Sequence, residues 1–232
     1  MYDLYIGNKN YSSWSLRPWL LMRMLRIPFQ ERLVPFGDGA FDDVSPTGKV
    51  PCLVAGGDLV WDSLAIVEFL AERHHRVWPL ARDARTWSRC ASAEMHSGFV
   101  ALREFCTMNC GIRVRLDEER PSLQQDLRRI ENLWIEGLQR YGGPWLGGAD
   151  FSAVDAFFAP VAFRAQTYNL TMPEPAAEYA ARLLALAPMQ DWYADALSEP
   201  WRDEEHEIEA RKAGMLMADL RLGPTAQATT GL

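Results

Sequence analysis

Cysteine is scarce and scattered in this chain. The four residues, Cys52, Cys90, Cys106 and Cys110, are too few and too irregularly spaced for the disulfide framework of a small secreted domain. Cys106 and Cys110 stand four apart in an expected helix. No histidine or second cysteine pair has ligand spacing beside them, and the four histidines are dispersed, so no metal site is expected. Basic excess is missing as well: Lys+Arg number 24 against 31 Asp+Glu, a net charge of −7, which argues against nucleic acid as a partner. No apolar run approaches the ~20 residues of a membrane span, and residues 1–6 carry an acid and no basic leader segment. A soluble, cytoplasmic chain is expected.

What is present suits two modest packed domains: 232 residues, 48% hydrophobic and 24% charged. The first third runs strand, helix, strand, strand, strand, helix. Tyr2–Gly7 reads as a strand, and Trp14–Leu25 as a helix with Leu16, Trp19, Leu20, Met24 and Leu25 on its apolar side. Phe29–Val34 and Cys52–Ala55 are strands, Gly56-Gly57 a hairpin turn, Leu59–Trp61 the returning strand, and Ser63–Arg73 a helix. This order is thioredoxin-like over residues 1–80. The pattern lapses at 78–84, and an all-helical domain is expected over 85–215, with helices at Thr86–Cys110, Ser122–Tyr141, Phe151–Leu170, Pro175–Leu186 and Met189–Leu197. No strand is expected there. Residues 216–232 read as a loose tail.

Three short segments bear on chemistry. Pro18 has no N–H and belongs in a first helical turn, which sets the helix start near Ser13 or Trp14. Tyr11-Ser12-Ser13 therefore lie where free N–H groups and the helix dipole favour an anion, although serines there also serve as plain caps. Val50-Pro51 enters a strand after the turn-like Ser45-Pro46-Thr47-Gly48-Lys49. Asp62-Ser63 opens a helix, where an acid and a hydroxyl suit the ammonium and carboxylate of an amino-acid head group, or merely an N-cap.

In this order and spacing the elements resemble the glutathione S-transferase family over nearly the whole chain. Ser-Pro-Thr-Gly-Lys-Val-Pro-Cys-Leu is similar to the family's cis-proline loop, and Asp-Ser-Leu-Ala-Ile to its Glu/Gln-Ser-x-Ala-Ile signature. Gly148-x-x-x-Ser152-Ala-Val-Asp155 is similar to its buried capping box, which makes Asp155 structural. The resemblance implies a thioredoxin-like domain followed by a transferase-type helical domain, a detoxifying role, and a homodimer. It implies no cofactor beyond glutathione as substrate. Val50 would pair with the cysteinyl unit, a cis Pro51 would hold that edge open, Asp62 and Ser63 would take the γ-glutamyl head, and Lys49 would lie near the glycyl carboxylate.

Ser12-Ser13-Trp14-Ser15-Leu16-Arg17 resembles the zeta-class Ser-Ser-Cys-Ser-x-Arg motif, which carries thiol activation to Ser12 and leaves Ser13 to cap the helix. Trp14 replaces that class's cysteine, and Thr167 stands where zeta enzymes have a substrate-binding arginine, with Arg164 one turn earlier. Serines at the helix start, in place of the cysteine of glutaredoxins, disfavour thiol–disulfide exchange. The expected second substrate is an apolar electrophile lying near Met95, Phe99 and Arg164. The alternatives are a maleylacetoacetate-type isomerase and a binding protein that kept the fold without the chemistry.

Overall fold

The structure is a computed structural model that describes residues 1–222. Its first sheet has the order β2-β1-β3-β4, from β1 (Tyr2–Ile6), β2 (Phe29–Leu33), β3 (Cys52–Ala55) and β4 (Asp58–Trp61). β1 runs parallel to β2 and antiparallel to β3, and β3 pairs antiparallel with β4. Helix α1 (Ser13–Met24) and helix α2 (Ser63–Ala71) pack against this sheet and each other. Leu4, Ile6, Leu16, Leu20, Leu53, Ile66 and Leu70 are fully buried between them. Burial of such side chains contributes about 1.5–3 kcal/mol each before chain entropy is subtracted.

Helix α1 begins where expected, but its proline does not lie in the first turn. Pro18 is the sixth helical residue, in the second turn, so the Trp14 carbonyl loses its usual N–H partner. The residues around it compensate by burial: Leu16, Arg17, Pro18, Trp19 and Leu20 all face protein.

The second part holds α3 (Arg82–Ser97), α4 (Val100–Phe105), β5 (Ile112–Leu116), α5 (Pro121–Tyr141), α6 (Ala153–Tyr168), α7 (Glu174–Leu184), α8 (Ala187–Ser198), α9 (Glu204–Lys212) and β6 (Gly214–Asp219). The expected single helix from Thr86 to Cys110 is broken. Gly98 is extended and Phe99 adopts the left-handed conformation at φ 56°, and a Cβ on Gly98 would lie 2.8 Å from the Glu94 carbonyl oxygen. The expectation of no strand is also corrected, since β5 and β6 form an antiparallel pair. Ile112 and Val114 point inward and alternate with Arg113 and Arg115, a period-two pattern. β6 takes the last two residues of the expected helical domain and residues 216–219 of the expected tail, while 223–232 lie outside the described residues.

Helix α6 is the buried axis of this part and packs against α1, α3 and α7. Asp155 holds its start: Oδ2 accepts the Ser152 N–H at 2.9 Å, and Oδ1 accepts the Leu146 N–H at 2.9 Å and the Tyr179 hydroxyl at 2.8 Å. Replacing this buried acceptor strands three donors at once. Asp155→Ala is expected to lower the free energy of unfolding by about 3 kcal/mol, read as a fall in the urea midpoint. A loss below about 0.5 kcal/mol would show that the donors find other partners.

Candidate active site

The loop from β1 to α1 is polar and almost wholly buried, from Asn8 at 1% exposure to Ser13 at 5%. Its groups are met from the far end of the chain. Glu199, just past α8, accepts the Lys9 N–H at 2.6 Å and the Asn10 N–H at 3.3 Å, and Trp192 Nε1 donates to the Lys9 carbonyl at 2.8 Å. The Lys9 ammonium pairs with Glu31 at 2.7 Å and Asp195 at 2.6 Å.

These contacts present the first turn of α1 to a cleft of about 460 Å³ between the two parts of the chain, lined by Tyr11, Ser12, Ser13 and Trp14. The cap is Ser12, not Ser13 as the sequence suggested. Ser12 Oγ accepts the Ser15 N–H at 3.4 Å and donates to Ser15 Oγ at 2.7 Å, and Ser15 Oγ accepts the Gly7 N–H at 3.2 Å. Ser13 sits one residue further in, where its Oγ receives Arg164 Nη2 at 3.4 Å. The Tyr11 hydroxyl turns away and donates to Glu207 at 2.7 Å. Burial, together with that carboxylate, pushes the phenol up to about 12.

A second hollow of about 400 Å³ adjoins the first across Trp14, Lys49 and Val50, which line both. It brings together Lys49, Val50, Pro51, Asp62 and Ser63, five of the sequence candidates. The Val50–Pro51 bond is cis, and the β1–β3 ladder stops at the Tyr5–Cys52 pair, so Val50 stands beyond it. Asp62 caps α2, its Oδ1 accepting from Leu64 N at 2.7 Å, while Oδ2 faces His96 Nε2 at 3.5 Å. Ser63 Oγ is buried beside the hollow without a partner among the described residues.

Two further candidates are misplaced. Met95 is fully buried and Phe99 is 6% exposed; both belong to the core and line neither hollow, because the break at Gly98 turns this stretch inward. The cleft wall comes instead from Arg103, Thr107 and Met108, with Phe36 and Phe41 opposite. Thr167 is buried and donates to the Asn109 carbonyl at 2.7 Å. Arg164 does line the cleft. It is 4% exposed, its Nε donates to the Cys106 carbonyl at 2.8 Å, and its Nη1 has no partner among the described residues. Burial and the charge of Arg103 lower its pKa to about 10.

Sequence reasoning missed how cationic this wall is. The Arg17 guanidinium is fully buried 4.2 Å from the Trp14 ring centroid, with no hydrogen-bond partner among the described residues. Arg103 covers the same ring at 4.7 Å and donates to the carbonyls of Gly98 and Met95. No ion pair joins Arg17, Arg103 or Arg164 to a carboxylate among the described residues; Arg17 is buried against Trp14 and lines neither hollow, while Arg103 and Arg164 line the cleft and give its wall unpaired positive charge. Burial pushes the Arg17 guanidinium down, reinforced by the two neighbouring arginines.

The family model for the glutathione S-transferase N-terminal domain matches residues 11–73, the stretch that carries the start of α1, the cis-proline loop and α2. Residues 11–73 carry a glutathione S-transferase N-terminal domain. It is 24% identical over 197 residues to a probable maleylacetoacetate isomerase of Caenorhabditis elegans, covering 80% of this chain and 89% of that one. It is 28% identical over 138 residues to a zeta-class glutathione S-transferase of Euphorbia esula, covering 58% and 61%. Among solved structures it shares its fold with a glutathione transferase homolog from Burkholderia gl BGR1 with bound glutathione, at TM-score 0.64 and 21% identity over 84% of this chain and 97% of that one. A theta-class glutathione S-transferase from Xanthomonas axonopodis pv. citri matches at TM-score 0.60 and 21% identity, over 83% and 96%.

Beyond the family core, the C-terminal segment clasps the site. Glu207 accepts from Tyr11, from Asn109 Nδ2 at 3.1 Å and from Arg221, whose side chain is 3% exposed. Burial alone would raise the Glu207 carboxyl, but the bonds from Arg221 and Tyr11 outweigh it and hold the carboxyl below the usual range. A lowered native pKa stabilises the fold above the unfolded glutamate value of about 4.3, and that contribution is lost as pH falls through the native value. Wild-type stability is therefore expected to drop more steeply below about pH 4 than that of Glu207→Gln, measured as urea midpoint against pH. Parallel curves would show that the clasp does not titrate.

Proposed function

We propose that the chain is a glutathione transferase that ionises the glutathione thiol at the start of α1 and directs the sulfur into the arginine-walled cleft. The observation that carries this reading is the meeting of the two hollows at Trp14 and Val50. One has a buried free hydroxyl and a carboxylate at a helix N-terminus, the other an N-capped helix start facing unpaired cations. Asp62 and Ser63 take the γ-glutamyl head, Val50 pairs with the cysteinyl unit as an added strand would, and Lys49 meets the glycyl carboxylate.

Free thiols titrate near 8.5, so the site must favour the anion. In the resting pair Ser12 donates to Ser15. With a sulfur anion in the cleft, the reverse arrangement lets Ser15 donate to Ser12 and turns the Ser12 O–H outward, backed by the α1 dipole. Ser13, whose Oγ accepts a hydrogen bond from Arg164, is the neighbouring donor. The electrophile's apolar body lies against Phe36, Phe41 and Met108, and Arg164 meets the negative charge that develops as sulfur adds.

The unpartnered Arg164 nitrogen also favours a second reading, isomerisation of a cis-enedione acid whose carboxylate it would hold. Retention on immobilised glutathione, followed by a panel of aryl halide, epoxide, enone, peroxide and cis-enedione acid substrates, tests both. Binding without turnover on any of them leaves only a binding protein.

We also place the protein in the cytoplasm, in keeping with four free cysteines, and assign it a homodimeric state. Support for the dimer comes from Leu59 and Trp61, 42% and 46% exposed in an apolar hollow beside α2. Light scattering at micromolar concentration should give twice the 26.3 kDa chain mass, and a monomer mass contradicts it. For the chemistry, Ser12→Ala is expected to keep the fold and lower turnover about 10²–10³-fold. Asp62→Ala should chiefly raise the Michaelis constant for glutathione, because it meets a part of the peptide that does not react. A Ser12 variant with wild-type turnover beside an impaired Ser13→Ala would move the thiolate donor to Ser13.

A further inference from the structure

The cleft wall contains a titratable pair that the thiolate site does not use. Asp203 is the N-cap of α9, and its Oδ1 accepts the His206 backbone N–H at 3.1 Å. The same oxygen lies 2.6 Å from Nδ1 of the His206 ring. Burial alone would raise the Asp203 carboxyl, but these bonds outweigh it and hold it ionised below the usual aspartate value. An ionised carboxylate can only accept, so the neutral ring carries its proton on Nδ1 and keeps its lone pair on Nε2.

The ring's faces are fixed too. It stacks on Phe36 at 5.3 Å and 4°, and lies against Tyr11 at 5.1 Å and 33°. It lines the same cleft as Ser12 and Ser13, and Nε2 has no protein partner among the described residues. An oriented imidazole with a free basic nitrogen, braced by a carboxylate, is the arrangement a proton acceptor requires.

We propose that His206 receives the thiol proton of bound glutathione, directly or through one water. This rests on the transferase reading above. The S–H bond breaks, its electron pair stays on sulfur, and the proton goes to Nε2, giving an imidazolium that faces Asp203. Sulfur then bonds to the electrophilic carbon. In an addition to a carbon–carbon double bond, Nε2–H returns the proton to the adjacent carbanion. In a displacement the proton leaves to water as the halide departs.

The surrounding charges suit such a separated pair. Asp203, Glu207 and Glu209 of the C-terminal segment stand on the imidazolium side, with Arg221 offsetting Glu207 behind Tyr11. Lys49, Arg103 and Arg164 contribute cations to the same cleft, where the thiolate forms.

The test counts protons as glutathione binds to wild type and His206→Gln near neutral pH. Titration calorimetry in two buffers of different ionisation enthalpy is read alongside the ultraviolet thiolate absorbance. His206 is a third exposed, so the variant should fold. Wild type should form thiolate while releasing well under one proton per site. In His206→Gln the thiolate midpoint should rise on the order of one pH unit, whatever thiolate forms should release its proton to the buffer, and turnover of an enone should fall about 10²-fold and recover at alkaline pH. Asp203→Asn keeps a capping side chain and should shift the midpoint in the same direction. A His206→Gln protein with the wild-type midpoint and proton count overturns the proposal and leaves the transferase reading standing. A wild type that forms no thiolate and turns over no electrophile brings down both.

Discussion

The buried carboxylate of Glu199 under the β1–α1 loop is the contact on which the site depends. A loop carrying Asn8, Lys9 and Asn10 has no sheet or helix to satisfy its N–H groups, and burying them unpaired would cost several kcal/mol. Glu199 accepts two of them, and burial raises its own pKa even as those bonds pull it down. Lys9 is held at the same point between Glu31 and Asp195, with Trp19 and Trp192 against its ammonium at 5.1 and 5.5 Å. The start of α1 is thus fixed from both parts of the chain, and Ser12, Ser13 and Trp14 there line a cleft that neither part could form alone.

That cleft is organised around cations that lack carboxylate partners among the described residues. A buried guanidinium without an anion is costly, and here three lie around one indole and one serine. Aromatic faces and backbone carbonyls offset part of that cost; an anion entering the cleft would offset the rest. On the proposed reading, a wall that is costly by itself favours a thiolate and the charge developing in an electrophile. Asp62 stands at the edge of this field, capping α2 and facing His96.

The first part of the fold was legible because its signals are local. Short apolar runs bounded by turn residues mark β1, β3 and β4, the Gly56-Gly57 turn joins a hairpin, and Asp62-Ser63 opens a helix with an N-cap. The candidates of the head-group hollow are neighbours in sequence, which is why five of them could be grouped before any coordinates. Helix α9 was not legible, because its charges match a helix dipole, with Glu204 and Glu205 first and Arg211 and Lys212 last, without an apolar stripe. The break at Gly98 hid for a different reason: apolar residues continue on both sides, and only a close approach to the Glu94 carbonyl requires glycine there. Arg17, Arg103 and His206 come from three distant segments and meet only through tertiary packing, which no spacing in the chain records.

The proposed chemistry needs an anionic sulfur at the start of α1. The most direct measurement is the ultraviolet thiolate band of wild-type protein titrated with glutathione near neutral pH, with S-methylglutathione as the blank. A saturable band at a pH where free glutathione stays protonated is the expected result. Saturable binding with no band would mean that the thiol stays protonated, and the helix-start mechanism would be contradicted.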